Sequence, residues 1–192
     1  VPRPTRSRLG VIFRPMAIRI FVTGGTFDKE YDEIQGRLFF RDSNLADMLR
    51  LGRNRADVQI RTLMMVDSLD MTEADRDLIA RNCRDVPERH IVITHGTDSM
   101  VETARLLAET VPDKSIVLTG AMIPIAFGSS DGLFNLGGAL TAVQCLPAGV
   151  WIAMNGLVFA WDNVRKNRAK GVFEPLDEGR LLHVEAGGVA PE

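Results

Sequence analysis

The sequence predicts an α/β fold, a mainly parallel β-sheet flanked by helices. Two observations carry the prediction. Short β-branched apolar runs alternate along the chain with longer segments of helical periodicity, as expected for strands joined by helical crossovers. The centres of those runs are apolar on both faces, or nearly so, which suits strands covered by helices on each side.

Taken in order, the strand candidates are IRIFVT (18–23), VQIRTLMMV (58–66), HIVIT (90–94), SIVLTG (115–120) and GVWIAMNG (149–156). The first helix candidate, 44–52, starts at a capping-type residue, Asn44, and stops at Gly52. The second, 72–83, opens on Thr72 with Asp75 three residues on, a variant of the capping box. The third, 99–111, repeats apolar residues at Val101, Ala104, Leu107, Ala108 and Val111, the stripe of a helix lying on a sheet. The fourth, 130–146, carries a similar stripe with small residues at Gly137, Gly138, Ala139 and Ala142, which allow a helix to approach its sheet closely. Parallel strands joined this way require right-handed crossovers.

The 192 residues suffice for one well-packed domain and are too few for two ordinary ones. A formal net charge of −2 gives no reason to expect a nucleic-acid or membrane partner through bulk charge. No apolar run approaches the roughly 20 residues of a membrane span. Cys83 and Cys145 lie far apart without metal-ligand spacing and read as two buried free thiols of a reducing, cytoplasmic compartment. Residues 1–15 are basic and proline-containing, with only Leu9 to Phe13 apolar, too short for a secretory signal. They read as a flexible leader, followed by a domain over 16–180 and a tail over 181–192.

In an open parallel sheet, ligands bind beyond the carboxyl ends of the strands. The residues there read TGGTFD (23–28), DSLDM (67–71), THGTDS (94–99) and TGAMIP (119–124). A phosphate cradle does not fit. TGGTFDKE lacks the third glycine of a dinucleotide fingerprint, an acidic loop follows it, and no G-x-x-x-x-G-K-[ST] occurs. A nucleophile fits better. A threonine hydroxyl needs a base to take its proton, and two Gly-Thr turns occur, one followed at once by Asp98. Tyr31, in the acidic loop after Thr26, is a possible proton partner. Thr97 would stand at the N-terminus of the third helix, where free N–H groups favour a carboxylate or developing oxyanion.

TGGTFD, DSLDM, THGTDSM-ETA, TGAMIP and SSDGLFNL occur in this order over about residues 18–173. On these motifs the chain resembles the bacterial-type L-asparaginases and glutaminase-asparaginases. The resemblance implies the Rossmann-like three-layer sandwich of that family's N-terminal domain, with no cofactor and no metal. It implies Thr26 as the primary nucleophile and Thr97, Asp98 and a lysine as a second set that polarises the amide and handles protons. Lys166 is the best match for that lysine, with Lys170 an alternative; a lysine acts as base only where burial or a nearby cation favours its neutral form. Tyr31 would join the catalytic group. Gly25, Ser68, Gly96, Thr97, Asp98 and Ala121 would contact substrate, with Ser68 on the α-carboxylate and Asp98 on the α-ammonium.

Three departures stand out. Leu69 replaces a glutamine or serine common in relatives, and Tyr31 follows Thr26 more closely than the loop tyrosine of many of them. The family's second, smaller domain, which supplies an acidic group to a neighbouring subunit's site, has no counterpart here. The sequence is either a short, single-domain form or a fragment; the expectation is the short form, in which Asp28, Glu30 or Glu33 supports Thr26. His95 reads as a hydrogen-bonded turn histidine, and Trp151 and Trp161 as core or interface. The implied function is hydrolysis of L-asparagine to L-aspartate and ammonia, with glutamine a possible weak substrate, in a homo-oligomer (dimer or tetramer). A non-catalytic amino-acid-binding module and the hydrolase part of a larger amidotransferase are the alternatives.

Overall fold

A computed structural model of the protein describes residues 17–180. The leader at 1–15 and the tail at 181–192 lie outside the described residues. Each predicted strand and helix is present: β1 (Ile18–Gly24), α1 (Leu45–Leu51), β4 (Val58–Val66), α2 (Glu73–Asp85), β5 (His90–Thr94), α3 (Met100–Thr110), β6 (Ser115–Thr119), α4 (Gly132–Cys145) and β7 (Gly149–Met154). The six-stranded sheet runs β4-β1-β5-β6-β7-β8, parallel throughout except for the last strand, β8 (Leu157–Ala160), which pairs antiparallel with β7.

The period of two along the strands divides the core into two layers. Phe21, Ile91, Ile93, Ile116 and Leu118 pack with Ile79 of α2 and Met100, Ala104 and Leu107 of α3. Ile18, Ile20, Val22, Val92 and Val117 pack with Leu45 and Met48 of α1 and with Leu136, Ala139 and Val143 of α4. The Thr72–Asp75 capping box forms as the spacing predicts, with Asp75 N–H donating to Thr72 Oγ1 and Thr72 N–H to Asp75 Oδ2.

Three hairpins were not legible as such. The stretch read as an acidic loop is a ribbon of β2 (Lys29–Asp32) and β3 (Arg37–Phe40). Its turn closes because Asp32 Oδ1 accepts from the N–H groups of Ile34 and Gln35, a local side-chain bond that a short acidic run conceals. The run predicted to end at Gly156 stops at Met154 and turns back through Asn155 and Gly156, both with positive φ (56° and 81°). Asn-Gly between apolar runs is the hairpin signal that identifies β8. Beyond it, β9 (Arg165–Asn167) and β10 (Val172–Glu174) form a two-stranded ribbon. The cysteines also need correction: Cys83 is buried, and burial pushes its thiol up to about 12, but Cys145 is exposed, at the end of α4.

Candidate active site

The strand order fixes where the motifs meet. From β1 the chain moves outward to β4 on one side, then returns to build β5, β6 and β7 on the other. The reversal lies between β1 and β5, so the two Gly-Thr turns leave adjacent strands at the topological switch point. They touch there. Gly25 has φ of +90°, and a Cβ on it would lie 2.5 Å from Gly96 N, so neither its conformation nor its space admits a side chain. A Cβ on Gly96 would in turn lie 2.5 Å from Ser68 Oγ. Gly25, Gly96 and Ser68 are therefore stacked into one seam across β1, β5 and β4.

Thr26 follows in a short 3-10 turn, Thr26–Asp28, and is half-buried. Thr97 is buried, and Lys166 Nζ donates to its Oγ1 at 2.8 Å and to Asp98 Oδ1 at 2.9 Å. Only 15% of the Lys166 side chain is exposed. Lys170, the alternative, is 70% exposed and pairs with Glu174 at 3.3 Å. A second cation, Arg168, stands 3.6 Å from Asp98 Oδ1.

Ser68 is buried and its carbonyl accepts from Ser99 Oγ at 2.6 Å, while its own hydroxyl has no partner among the described residues. Arg76 extends this link, donating to Ser99 Oγ at 2.9 Å. Ala121 is buried directly after β6, in a loop held by Asp131, whose carboxylate accepts from Met122 N–H and Ile123 N–H.

The acidic stretch after Thr26 is arranged differently from expectation. Asp28 is buried, and its Oδ1 accepts from Asn44 N–H at 2.8 Å, fastening the start of α1. Burial raises its carboxyl above the ordinary value, against the hydrogen bonds from Asn44 and Ser43. Glu33 is exposed in the β2–β3 turn, and Glu30 lies half-buried on β2. Tyr31 belongs to a strand rather than a loop and is 53% exposed. Lys29, on the same face of β2 as Tyr31, ion-pairs with Asp67 at the end of β4. Burial opposes ionisation of Asp67, but the Lys29 contact, the Leu69 N–H and the charges of Lys29 and Lys166 outweigh it and hold the carboxyl below its usual range. Sequence reasoning missed the Lys29–Asp67 and Arg168–Asp98 pairs. Their partners are distant in the chain, and no local pattern announces them.

His95 is fully buried between Gly96 O and Thr103 Oγ1, each 2.8 Å from a ring nitrogen. The carbonyl requires Nδ1 to donate, so Nε2 of the neutral ring accepts from Thr103. Burial lowers the imidazole to about 4 from 6.5; the Gly96 bond opposes this and the Arg76 charge adds to it. The unfolded ring takes up a proton near pH 6.5 and the folded ring only near pH 4. The stabilisation is thus complete above pH 6.5 and is lost as the pH falls towards 4, about 3 kcal/mol in all. Urea denaturation across this window is expected to show a flatter pH dependence for His95→Gln than for wild type; equal slopes would refute the assignment.

Among the described residues, no His, Cys, Asp and Glu cluster could hold a metal ion, and no helix is long and apolar enough to cross a membrane.

Known proteins are similar to this chain in sequence and fold. The family model "Asparaginase, N-terminal" matches residues 17–190. L-asparaginase from Thermococcus kodakarensis is 27% identical over 181 residues, covering 91% of this chain and 55% of that protein. L-asparaginase 2 of Escherichia coli is 41% identical over 104 residues, covering 51% of this chain and 30% of that protein. The crystal structure of L-asparaginase I from Vibrio cholerae superposes with a TM-score of 0.75 at 28% identity, over 84% of this chain and 52% of that one. The chain thus spans about half or less of the length of these relatives.

Proposed function

The chain belongs to the asparaginase family, and from that premise we propose that it hydrolyses the side-chain amide of L-asparagine to L-aspartate and ammonia. The observation that carries the reading is the contact of Lys166 Nζ with both Thr97 Oγ1 and Asp98 Oδ1, beside the Gly25–Thr26 turn. Thr26 Oγ attacks the amide carbon, an ester bond forms, the C–N bond breaks and ammonia leaves with the threonine proton. Water then attacks the ester carbon, and its proton is relayed through the Thr97 hydroxyl that Lys166 holds in place. The ester C–O bond breaks as that proton returns to Thr26 Oγ and aspartate departs.

The unpartnered Ser68 hydroxyl supports a role as donor to the α-carboxylate, because a buried hydroxyl left unpaired costs about 1–3 kcal/mol that an arriving anion removes. Asp98, 30% exposed, is the acidic group available to the α-ammonium. Tyr31 would close over Thr26 from the β2–β3 ribbon, which the Lys29–Asp67 pair tethers to the strand ends. Gly25, Gly96 and Ala121 supply close backbone surface.

Free thiols at Cys83 and Cys145 support a cytoplasmic setting. Exposed Phe134 and Leu157, beside a groove lined by Gly137, Gly138 and Ala142 of the uncharged helix α4, support a homo-oligomer.

The test is ammonia release from purified protein given asparagine, with glutamine alongside. Catalytic release at steady turnover is expected. Saturable asparagine binding without release would instead make the protein an amino-acid-binding module, and release only with a partner present an amidotransferase component.

A further inference from the structure

A chain of hydrogen bonds outside the site joins α4 to the ribbon that carries Lys166. It starts at Gly120, beside Thr97: a Cβ on Gly120 would lie 3.2 Å from Thr97 Cγ2. Asn135 of α4 is buried, and its Nδ2 donates to Gly120 O and to Asp131 Oδ2, both at 2.9 Å. Its Oδ1 accepts from Asn155 N–H at 3.0 Å. Asn155 occupies the left-handed turn between β7 and β8, with φ of 56°, a conformation that asparagine tolerates better than most residues. Its Oδ1 accepts from Phe173 N–H at 3.2 Å. Phe173 is buried in the core and stands directly opposite Lys166 in the β9–β10 ladder. Lys166 then returns to Thr97.

Hydrogen bonds thus run from Gly120 through Asn135 and Asn155 to Phe173, and the ladder position of Lys166 and the close approach of Gly120 to Thr97 bring the path back to the site. Two of its side chains reach the ribbon from outside: Thr97 meets the Lys166 side chain, and Asn155 meets the ribbon's backbone at Phe173. A ribbon of two three-residue strands has little stability alone. The Asn163–Asp177 pair, with Asn163 Nδ2 to Asp177 O at 2.9 Å and Asp177 N–H to Asn163 Oδ1 at 2.8 Å, fixes its flanks. Neither of those bonds acts at the level of Lys166.

We propose that Asn155 is a positioning residue that sets the placement of Lys166 against Thr97 and Asp98, through its side-chain bond to Phe173 N–H. The proposal rests on the amidohydrolase reading for its kinetic consequences, and on geometry alone for the lysine placement. Two substitutions separate the bond from the turn. Asn155→Gly keeps the left-handed backbone accessible and removes the acceptor; Asn155→Asp keeps an acceptor and tolerates the turn.

In Asn155→Gly, kcat for asparagine is expected to fall about tenfold or more, because a small misplacement of a reacting group is costly. KM is expected to stay within about twofold. The 15N signal of the Lys166 ammonium, assigned by its loss in Lys166→Met, is expected to shift or broaden. Asn155→Asp is expected to restore both. A merely structural role would lower the melting temperature without splitting kcat from KM. The proposal is overturned if Asn155→Gly matches wild type in kcat and in the lysine signal, or if Asn155→Asp is as damaged as Asn155→Gly. In a wild-type protein that releases no ammonia the function itself fails, and the lysine signal then decides the positioning claim.

Discussion

Thr26→Ala is expected to reduce ammonia release from asparagine by on the order of ten-thousandfold, since loss of a nucleophile removes the covalent route and leaves only binding and polarisation. Asparagine should still bind, because the groups assigned to the substrate's charged ends, Ser68 and Asp98, are untouched. Thr97→Val behaves differently. Valine keeps the volume of the buried Thr97 side chain and removes the hydroxyl that receives Lys166 Nζ. If Thr97 relays the proton of the attacking water, the first step outruns the second and an aspartyl ester accumulates on Thr26. Rapid acid quench followed by peptide mass mapping would locate that ester. An adduct on the Thr97 peptide of Thr26→Ala would exchange the two roles, and an adduct on neither in any variant would eliminate the threonine ester.

Lys166→Met is expected to lower kcat by about a thousandfold, within the usual contribution of a positioned acid–base group. Lys170→Met is expected to leave it within about twofold, because an exposed lysine paired with a surface carboxylate contributes little. Methionine is similar in length to lysine and occupies the same largely covered position, so the comparison reports on the amine rather than on a cavity. Steady-state kinetics of the two proteins decide the matter. Equal losses, or the reverse order, would remove Lys166 from the proton path. Because Lys166 also neutralises Asp98, its removal is expected to alter asparagine affinity as well, and the change in kcat is the diagnostic quantity.

The parallel sheet was legible because each buried strand leaves a compact apolar signature. HIVIT and SIVLT are covered on both faces, and their shortness and β-branched content favour a central strand over a buried helix. Helix starts were legible where the cap is local, as with Thr72 and Asp75. At α1 the cap is not local. Asn44 makes no capping bond with its side chain, and the start of the helix is held instead by Asp28, sixteen residues earlier. The β2–β3 ribbon was missed for a related reason: none of its strand residues is fully buried, and β2 is polar but for Tyr31, so no hydrophobic alternation marks it.

The sequence by itself determined the sheet, its helical layers and the four strand-end motifs, because strand and helix periodicity and turn chemistry are properties of neighbouring residues. It left Lys166 and Lys170 both open, and it left the carboxylates of the acidic stretch equivalent. Only the tertiary structure separated them. Lys166 reaches Thr97 and Asp98 across 69 and 68 positions of chain, Lys170 turns to Glu174, and Asp28 is drawn under α1. The physical reason is that contacts of this kind depend on where strand order and ribbon docking bring distant side chains. The Thr97–Lys166 contact exists because β5 lies at the switch point and because Phe173, buried in the core, anchors the ribbon opposite Lys166.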